Sequence, residues 1–264
     1  MKFAIVNGIT VHYTLNGLSK SVPLVFINPL GSDLRIWDGL IPKFANRFAI
    51  IRYDKRGHGL SDCPPGPYTI QDHAIDLARL LDHLQVDAAI LIGISVGGLI
   101  ALDFATIYPQ RVKAMVLSDT ATRIGTADFW NARIRAVRDH SLAGVADTIL
   151  ARWFAQTFSE QHPAQYRGYY NMLTRTPVEG YIATCEAIRD SDLGEHARRI
   201  SAKTLVLCGE DDLATPPDQV QQLAKTLKDA RFEKIVKAGH LPCVEQPDTM
   251  GKKIDQFLDE NGFV

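Results

Sequence analysis

The chain has no run approaching the roughly 18 apolar residues that a membrane span requires, and its start, Met1 to Gly8, lacks the long apolar core of a signal peptide. It also lacks paired cysteines. Cys63, Cys185, Cys208 and Cys243 are scattered with no Cys-x-x-Cys spacing, which argues against a zinc site or a disulfide framework and leaves reduced thiols as the expectation. Charge bias is missing too: 29 basic residues stand against 30 acidic ones, a net charge of -1, so there is no broad field for nucleic acid or an anionic membrane surface. There is no internal repeat, no low-complexity tract and no signature of an oligomeric state. The expectation is a cytoplasmic globular protein; its 264 residues are enough for a substantial core, and its composition suits a small neutral or singly charged ligand.

Apolar runs rich in β-branched residues recur at Val22–Asn28, Phe48–Tyr53, Ala88–Gly93, Ala114–Ser118, Lys203–Gly209 and Phe232–Val236. Bounded by turn signals, they read as buried parallel strands. Helical patterns lie between them, as in Ile70, Ala74, Leu77, Leu80, Leu81 and Leu84, whose spacings of three and four put one apolar stripe against a sheet. That alternation predicts an α/β fold, a mostly parallel twisted sheet flanked by helices. Phe3–Val6 and Ile9–Tyr13, turning at Asn7-Gly8, predict an antiparallel hairpin at the sheet edge. From 127 to 197 the strand rhythm stops and aromatic-rich helical segments take over. The expected organisation is a core of 1–126 and 198–264 with a helical cap, 127–197, inserted between strands above their carboxyl ends, where open α/β sheets bind ligands.

Gly93-Ile94-Ser95-Val96-Gly97 matches G-x-S-x-G, the sharp strand-to-helix turn that lifts a nucleophilic serine above a sheet. Context supports it: a strand pattern precedes the motif and a helical one, Gly98 to Ala105, follows it. A serine hydroxyl needs a histidine to take its proton, and the histidine needs a carboxylate to fix its tautomer. Of the histidines after Ser95, His140, His162 and His196 fall in the helical segment. His240 follows the last strand in a short loop, Lys237 to Pro242, and can reach the same edge. After the preceding strand, Glu210, Asp211 and Asp212 compete to be the acid. The oxyanion donors expected for such a site are the backbone N–H groups of Val96, after the nucleophile, and of Leu30, after the third strand. The loop Tyr53-Asp54-Lys55-Arg56-Gly57-His58-Gly59-Leu60-Ser61 reads as a brace at the sheet edge rather than as chemistry.

These motifs, taken together, resemble the α/β-hydrolase superfamily over the whole chain. Within it, Asn28 to Asp38, Thr120 to Gly125 and Arg175 to Tyr181 are similar to the 3-oxoadipate enol-lactonases of aromatic catabolism. The resemblance implies the α/β-hydrolase fold and a Ser95, Asp212, His240 triad, Asp212 being favoured because Gly209 to Pro216 follows the family pattern Gly-x-x-Asp with proline four residues later. Many relatives carry His-Gly where this chain has Asn28-Pro29, so Asn28 either shapes the loop or touches substrate. The implied substrate is a small anionic lactone bearing an acetate arm, so a buried cation is expected. At about 100° per residue, Trp130, Arg133, Ile134 and Val137 share one helical face, and Arg135 points away. Arg133 is then the candidate partner of the carboxylate and Trp130 a pocket wall. No metal or organic cofactor is expected. The same triad would serve a carboxylesterase or perhydrolase on an acyclic ester, and the fold also serves as a small-molecule receptor. Dehalogenases and epoxide hydrolases of this fold carry an aspartate where Ser95 stands.

Overall fold

Asn7 and Gly8 both take positive φ, 50° and 77°, and turn the chain between β1 (Lys2–Val6) and β2 (Ile9–Asn16). Positive φ at both central residues suits the right-handed twist of a two-residue hairpin, and Val6 pairs with Ile9 across it. The computed structural model describes residues 1–16 and 22–263. The remaining strands are β3 (Leu24–Ile27), β4 (Ile50–Tyr53), β5 (Ala89–Ile94), β6 (Val112–Ser118), β7 (Lys203–Gly209) and β8 (Ala230–Ile235). Among the described residues they form one eight-stranded sheet in the order β1-β2-β4-β3-β5-β6-β7-β8. The hairpin adds antiparallel to its edge, and β4, β3 and β5 to β8 run parallel.

Helices cover both faces, and that is why the central strands are apolar throughout rather than alternating. All residues of β3 and β5 are buried. The chain order is α1 (Ile41–Phe44), α2 (Ile70–His83) and α3 (Val96–Ile107), then α4 (Ala127–Trp153), α5 (Phe158–Gln161), α6 (Pro163–Thr174), α7 (Val178–Arg189) and α8 (Gly194–Ala197) between β6 and β7, and finally α9 (Pro217–Thr226), α10 (Pro242–Glu245) and α11 (Pro247–Glu260). Thr69 caps α2 in a reciprocal capping box with Asp72, and its stripe of Ile70, Ala74, Leu77, Leu80 and Leu81 is buried as the spacing predicts. Leu84 of that pattern falls at the C-cap, just past the helix. α4 is broken at Ser141, where φ is 61° and ψ 174°.

The strand positions follow the sequence reading to within a few residues at each end. One residue departs in kind. Val236, expected in the last strand, lies past it and is exposed, because the chain turns immediately after it at Lys237, whose φ is 56°. Parallel alignment puts the carboxyl ends of β3, β5, β6, β7 and β8 on one edge of the sheet, and the loops that leave them carry Leu30, Ser95, Asp119, Asp212 and His240. Among the described residues no helix is long and apolar enough to cross a membrane.

Candidate active site

Ser95 sits at the junction of β5 and α3 with φ 58° and ψ -122°, a conformation unfavourable for a residue with a side chain. The turn closes only because its flanks are glycine. A Cβ on Gly93 would lie 2.4 Å from the Gly97 oxygen, and one on Gly97 would lie 2.1 Å from the Ile27 oxygen. The elbow is held from outside as well, since the Ser95 N–H donates to the Ser118 carbonyl at 3.1 Å and Thr120 Oγ1 donates to the Ser95 carbonyl at 2.7 Å.

His240 is buried, with Nδ1 2.9 Å from Asp212 Oδ2. Asp212 in turn accepts from the Ala214 N–H at 2.7 Å, the Thr215 N–H at 3.1 Å and Thr215 Oγ1 at 2.7 Å. Burial works to raise its pKa, but the His240 charge and these hydrogen bonds outweigh it, and the carboxyl titrates below its ordinary range. An ionised Asp212 keeps the proton of neutral His240 on Nδ1 and leaves Nε2 to accept one. Of the three competing carboxylates, Glu210 and Asp211 are exposed and only Asp212 is buried against His240.

Asp119, at the end of β6, was not singled out from the sequence. It is fully buried, accepts from the Gly209 N–H at 2.8 Å and is hydrogen-bonded by Ser118 Oγ. Burial and the neighbouring Asp212 push its pKa well up, the direction opposite to that at Asp212. Asp119, Cys208 and Asp212 bring donor atoms within 4.8 Å of one another. Those atoms are already spent on Gly209, Ser118, Thr215 and His240.

A cavity of about 240 Å³ opens onto Ser95 and His240 and is lined also by Leu30, Phe129, Trp130, Arg133, Arg152 and Tyr181. Trp130 Nε1 donates to the Ile124 carbonyl at 2.6 Å, which fixes the indole as a wall. Arg133 Nη1 donates to Tyr181 Oη at 3.2 Å. Arg152 is a second cation in the same cavity, and sequence reasoning missed it; the signal available was an arginine set between Ile149 and Trp153 on an otherwise apolar helical face. Among the described residues neither arginine is paired with a carboxylate. Burial and the charge of Arg133 lower the pKa of Arg152, so the two cations crowd each other.

Two backbone donors stand at this edge of the sheet, Leu30 in the cavity lining and Val96 next to Ser95 in the chain. Among the described residues neither the Leu30 N–H nor the Val96 N–H meets an acceptor, an uncommon condition for buried amides. Asn28 does not reach the cavity. Its Nδ2 donates to the Tyr53 carbonyl at 2.9 Å and its Oδ1 accepts from Trp37 Nε1 at 2.8 Å, so it shapes the loop. His140 and His162 lie outside the cavity lining, and His196 faces Asp103 at 3.5 Å.

A parallel sheet with a strained serine elbow and a buried His–Asp pair at its carboxyl edge defines an α/β hydrolase that cleaves ester bonds. The sequence profile of the alpha/beta hydrolase fold matches residues 22–247. The chain belongs to that family. It is 34% identical to 3-oxoadipate enol-lactonase 2 of Acinetobacter baylyi over 95% of this chain and 93% of that protein. The crystal structure of the enol-lactonase from Burkholderia xenovorans superposes with a TM-score of 0.95 at 34% identity, covering 98% of this chain and all of that one. A thermophilic esterase from Thermogutta terrifontis, with malate bound, superposes with a TM-score of 0.92 at 26% identity, covering 98% of each chain.

Proposed function

We propose that this enzyme hydrolyses 3-oxoadipate enol-lactone to 3-oxoadipate through an acyl-enzyme on Ser95, with residues 127–197 acting as the cap that closes the substrate pocket. One observation carries the choice of an anionic substrate: Arg133 and Arg152 line the cavity of Ser95 and His240 without a carboxylate partner among the described residues. A substrate carboxylate between them would relieve their mutual repulsion and gain charge-assisted hydrogen bonds. The likeness to two enol-lactonases supports the particular lactone.

In the proposed reaction His240 Nε2 takes the Ser95 proton as Oγ attacks the lactone carbonyl. The Leu30 and Val96 amides receive the oxyanion, and each such donor is worth about 3 kcal/mol in a transition state. Collapse breaks the ring C–O bond and releases an enolate, which takes the proton from His240 and tautomerises to the ketone. An enolate leaves more readily than an alkoxide, so placement of the ring weighs more here than protonation of the leaving group. His240 then deprotonates a water that attacks the acyl carbonyl, and Ser95 leaves with the proton returned to it. Asp212 stabilises the His240 cation in both halves.

A carboxylesterase acting on a small acyclic ester is the second reading, supported by the likeness to the Thermogutta enzyme. Loss of enol-lactone absorbance on adding enzyme, set beside an isomeric saturated lactone and a neutral aryl ester, separates the two. The lactonase reading expects kcat/KM to be highest for the enol-lactone by about two orders of magnitude or more, the scale set by a lost charged contact. Equal or better turnover of the neutral ester would overturn it.

A further inference from the structure

The loop expected only to brace the sheet edge holds the oxyanion loop at Asn28, Pro29, Gly31 and Leu34. β3 and β4 are parallel neighbours, so the chain leaving β4 runs alongside the chain leaving β3. Tyr53 O accepts from Asn28, Lys55 Nζ donates to the Pro29 carbonyl at 2.7 Å, His58 Nε2 accepts from the Gly31 N–H at 3.0 Å, and Asp54 Oδ1 accepts from the Leu34 N–H at 2.9 Å. Lys55 is 2% exposed, and the Pro29 carbonyl is the one hydrogen-bond partner of its ammonium among the described residues.

Pro29 O and the Leu30 N–H are the two ends of one planar peptide unit and point in opposite directions. A donor fixed on the carbonyl therefore sets where the N–H points. A charged donor also draws electron density toward the oxygen and makes the N–H a stronger hydrogen-bond donor. Ser32 Oγ adds a second bond to the same oxygen at 2.9 Å but brings no charge. Resting on the oxyanion role given to Leu30 above, we propose that Lys55 is a positioning residue whose ammonium, through the Pro29 carbonyl, aims and polarises the Leu30 N–H toward the oxyanion.

Burial brings the Lys55 pKa down to about 7 against the opposing pull of Asp54 and Asp33. The other titratable groups facing it are His58 and His73, both pushed well below the ordinary histidine range by burial and then by Lys55 itself. Arg56 follows it in the chain and is engaged bidentately by Asp76. Lys55 is thus the group here whose charge changes near neutrality, and kcat should fall as pH rises through about 7.

The experiment compares wild type, Lys55→Met, Lys55→Gln and a Leu30 variant in which the amide is replaced by an ester through incorporation of the matching hydroxy acid. Removing an oxyanion donor outright costs about a hundredfold or more in kcat, and Lys55→Met should lose about tenfold of that, with KM changed less than about threefold. Lys55→Gln keeps a neutral donor and should lie between. Both should lack the alkaline fall of wild type, and Lys55→Met should add little in the Leu30 ester background. A folded Lys55→Met with wild-type kcat, a loss confined to KM, or an unchanged pH profile would overturn the role of Lys55. If the Lys55 variants do not fold, a wild-type kcat that is flat above about pH 7 overturns it alone. A Leu30 ester with full activity would instead remove the oxyanion reading itself, whereas a slow ester beside a normal Lys55→Met would remove only the role of Lys55.

Discussion

Arg133 and Arg152 set their guanidinium groups over the same ring, 5.4 Å and 5.2 Å from the centroid of Phe129. Both belong to α4, where a straight helix rising about 1.5 Å per residue would separate them by about 28 Å. The break at Ser141 brings them together. On the proposed reading these two like charges at one aromatic ring, neither ion-paired with a carboxylate among the described residues, receive the anion, because attraction to the ring is only partial compensation for their repulsion.

Removing either arginine should therefore act on charge and not on catalysis in general. Arg133→Ala and Arg152→Ala are each expected to lower kcat/KM for the anionic lactone by about tenfold to a hundredfold, the range of a lost charge-assisted bond. Turnover of a neutral aryl ester should stay within a few-fold. The double variant should lose less than the product of the two, because they share one carboxylate. Parallel steady-state kinetics on the two substrates check this, and equal losses on both would point to a damaged pocket instead.

The acid next to His240 should be separable from its neighbours. Asp212→Asn removes the charge that fixes the His240 tautomer and is expected to reduce kcat by about 10⁴. Asp211→Asn alters an exposed side chain and should leave kcat within about twofold of wild type. Single-turnover kinetics with both variants test the pair, together with circular dichroism to establish that they fold.

Some of this arrangement is legible in the sequence because local geometry demands it. The Ser95 elbow cannot be built without glycine at 93 and 97, so the pattern announces the turn, and the strand and helix on either side announce themselves by periodicity. Asp212 is different. Three adjacent carboxylates offer the same chemistry, and only the tertiary path of the loop brings one of them to His240. Arg152 was hidden by a helix break at a serine, a residue with no marked breaking tendency, in a segment without proline. Lys55 and Asp119 read as ordinary loop and strand-end charges, because their burial depends on which strands become neighbours.

Strain at Ser95 should be measurable as stability. A non-glycine residue in a sparsely populated region costs about 1–3 kcal/mol, and glycine gives back about 0.5–1 kcal/mol of that through the entropy of the unfolded chain. Ser95→Gly is accordingly expected to be more stable than Ser95→Ala by about 1 kcal/mol, and both should be inactive toward the lactone. Urea denaturation of the two variants gives the difference directly. An alanine variant as stable as the glycine one would mean that the turn is relaxed, and near wild-type lactone turnover by Ser95→Ala would remove Ser95 as nucleophile.

Glu245 makes stability depend on pH through a tie between the histidine loop and the chain beyond α4. Its Oε1 accepts from the Ala155 N–H at 2.8 Å and its Oε2 from the Gly239 N–H at 2.7 Å, the residue before His240. Burial pushes its pKa up to about 7, against the pull of those two amides, and Asp211 and Asp212 add to the rise. The folded value thus lies above the ordinary 4.5. Between these two values the folded protein holds more protons than the unfolded chain, so stability is fully present below the lower one and falls as pH rises through the upper one. The slope can reach about 1.4 kcal/mol per pH unit. Glu245→Gln abolishes this titration while sacrificing one acceptor, which is worth about 1 kcal/mol independent of pH. Urea denaturation across that range should show the wild-type advantage over Glu245→Gln shrinking as pH rises and levelling off above about 7. A difference that stays constant with pH would mean that the two amides, rather than burial, govern Glu245 and keep it ionised throughout.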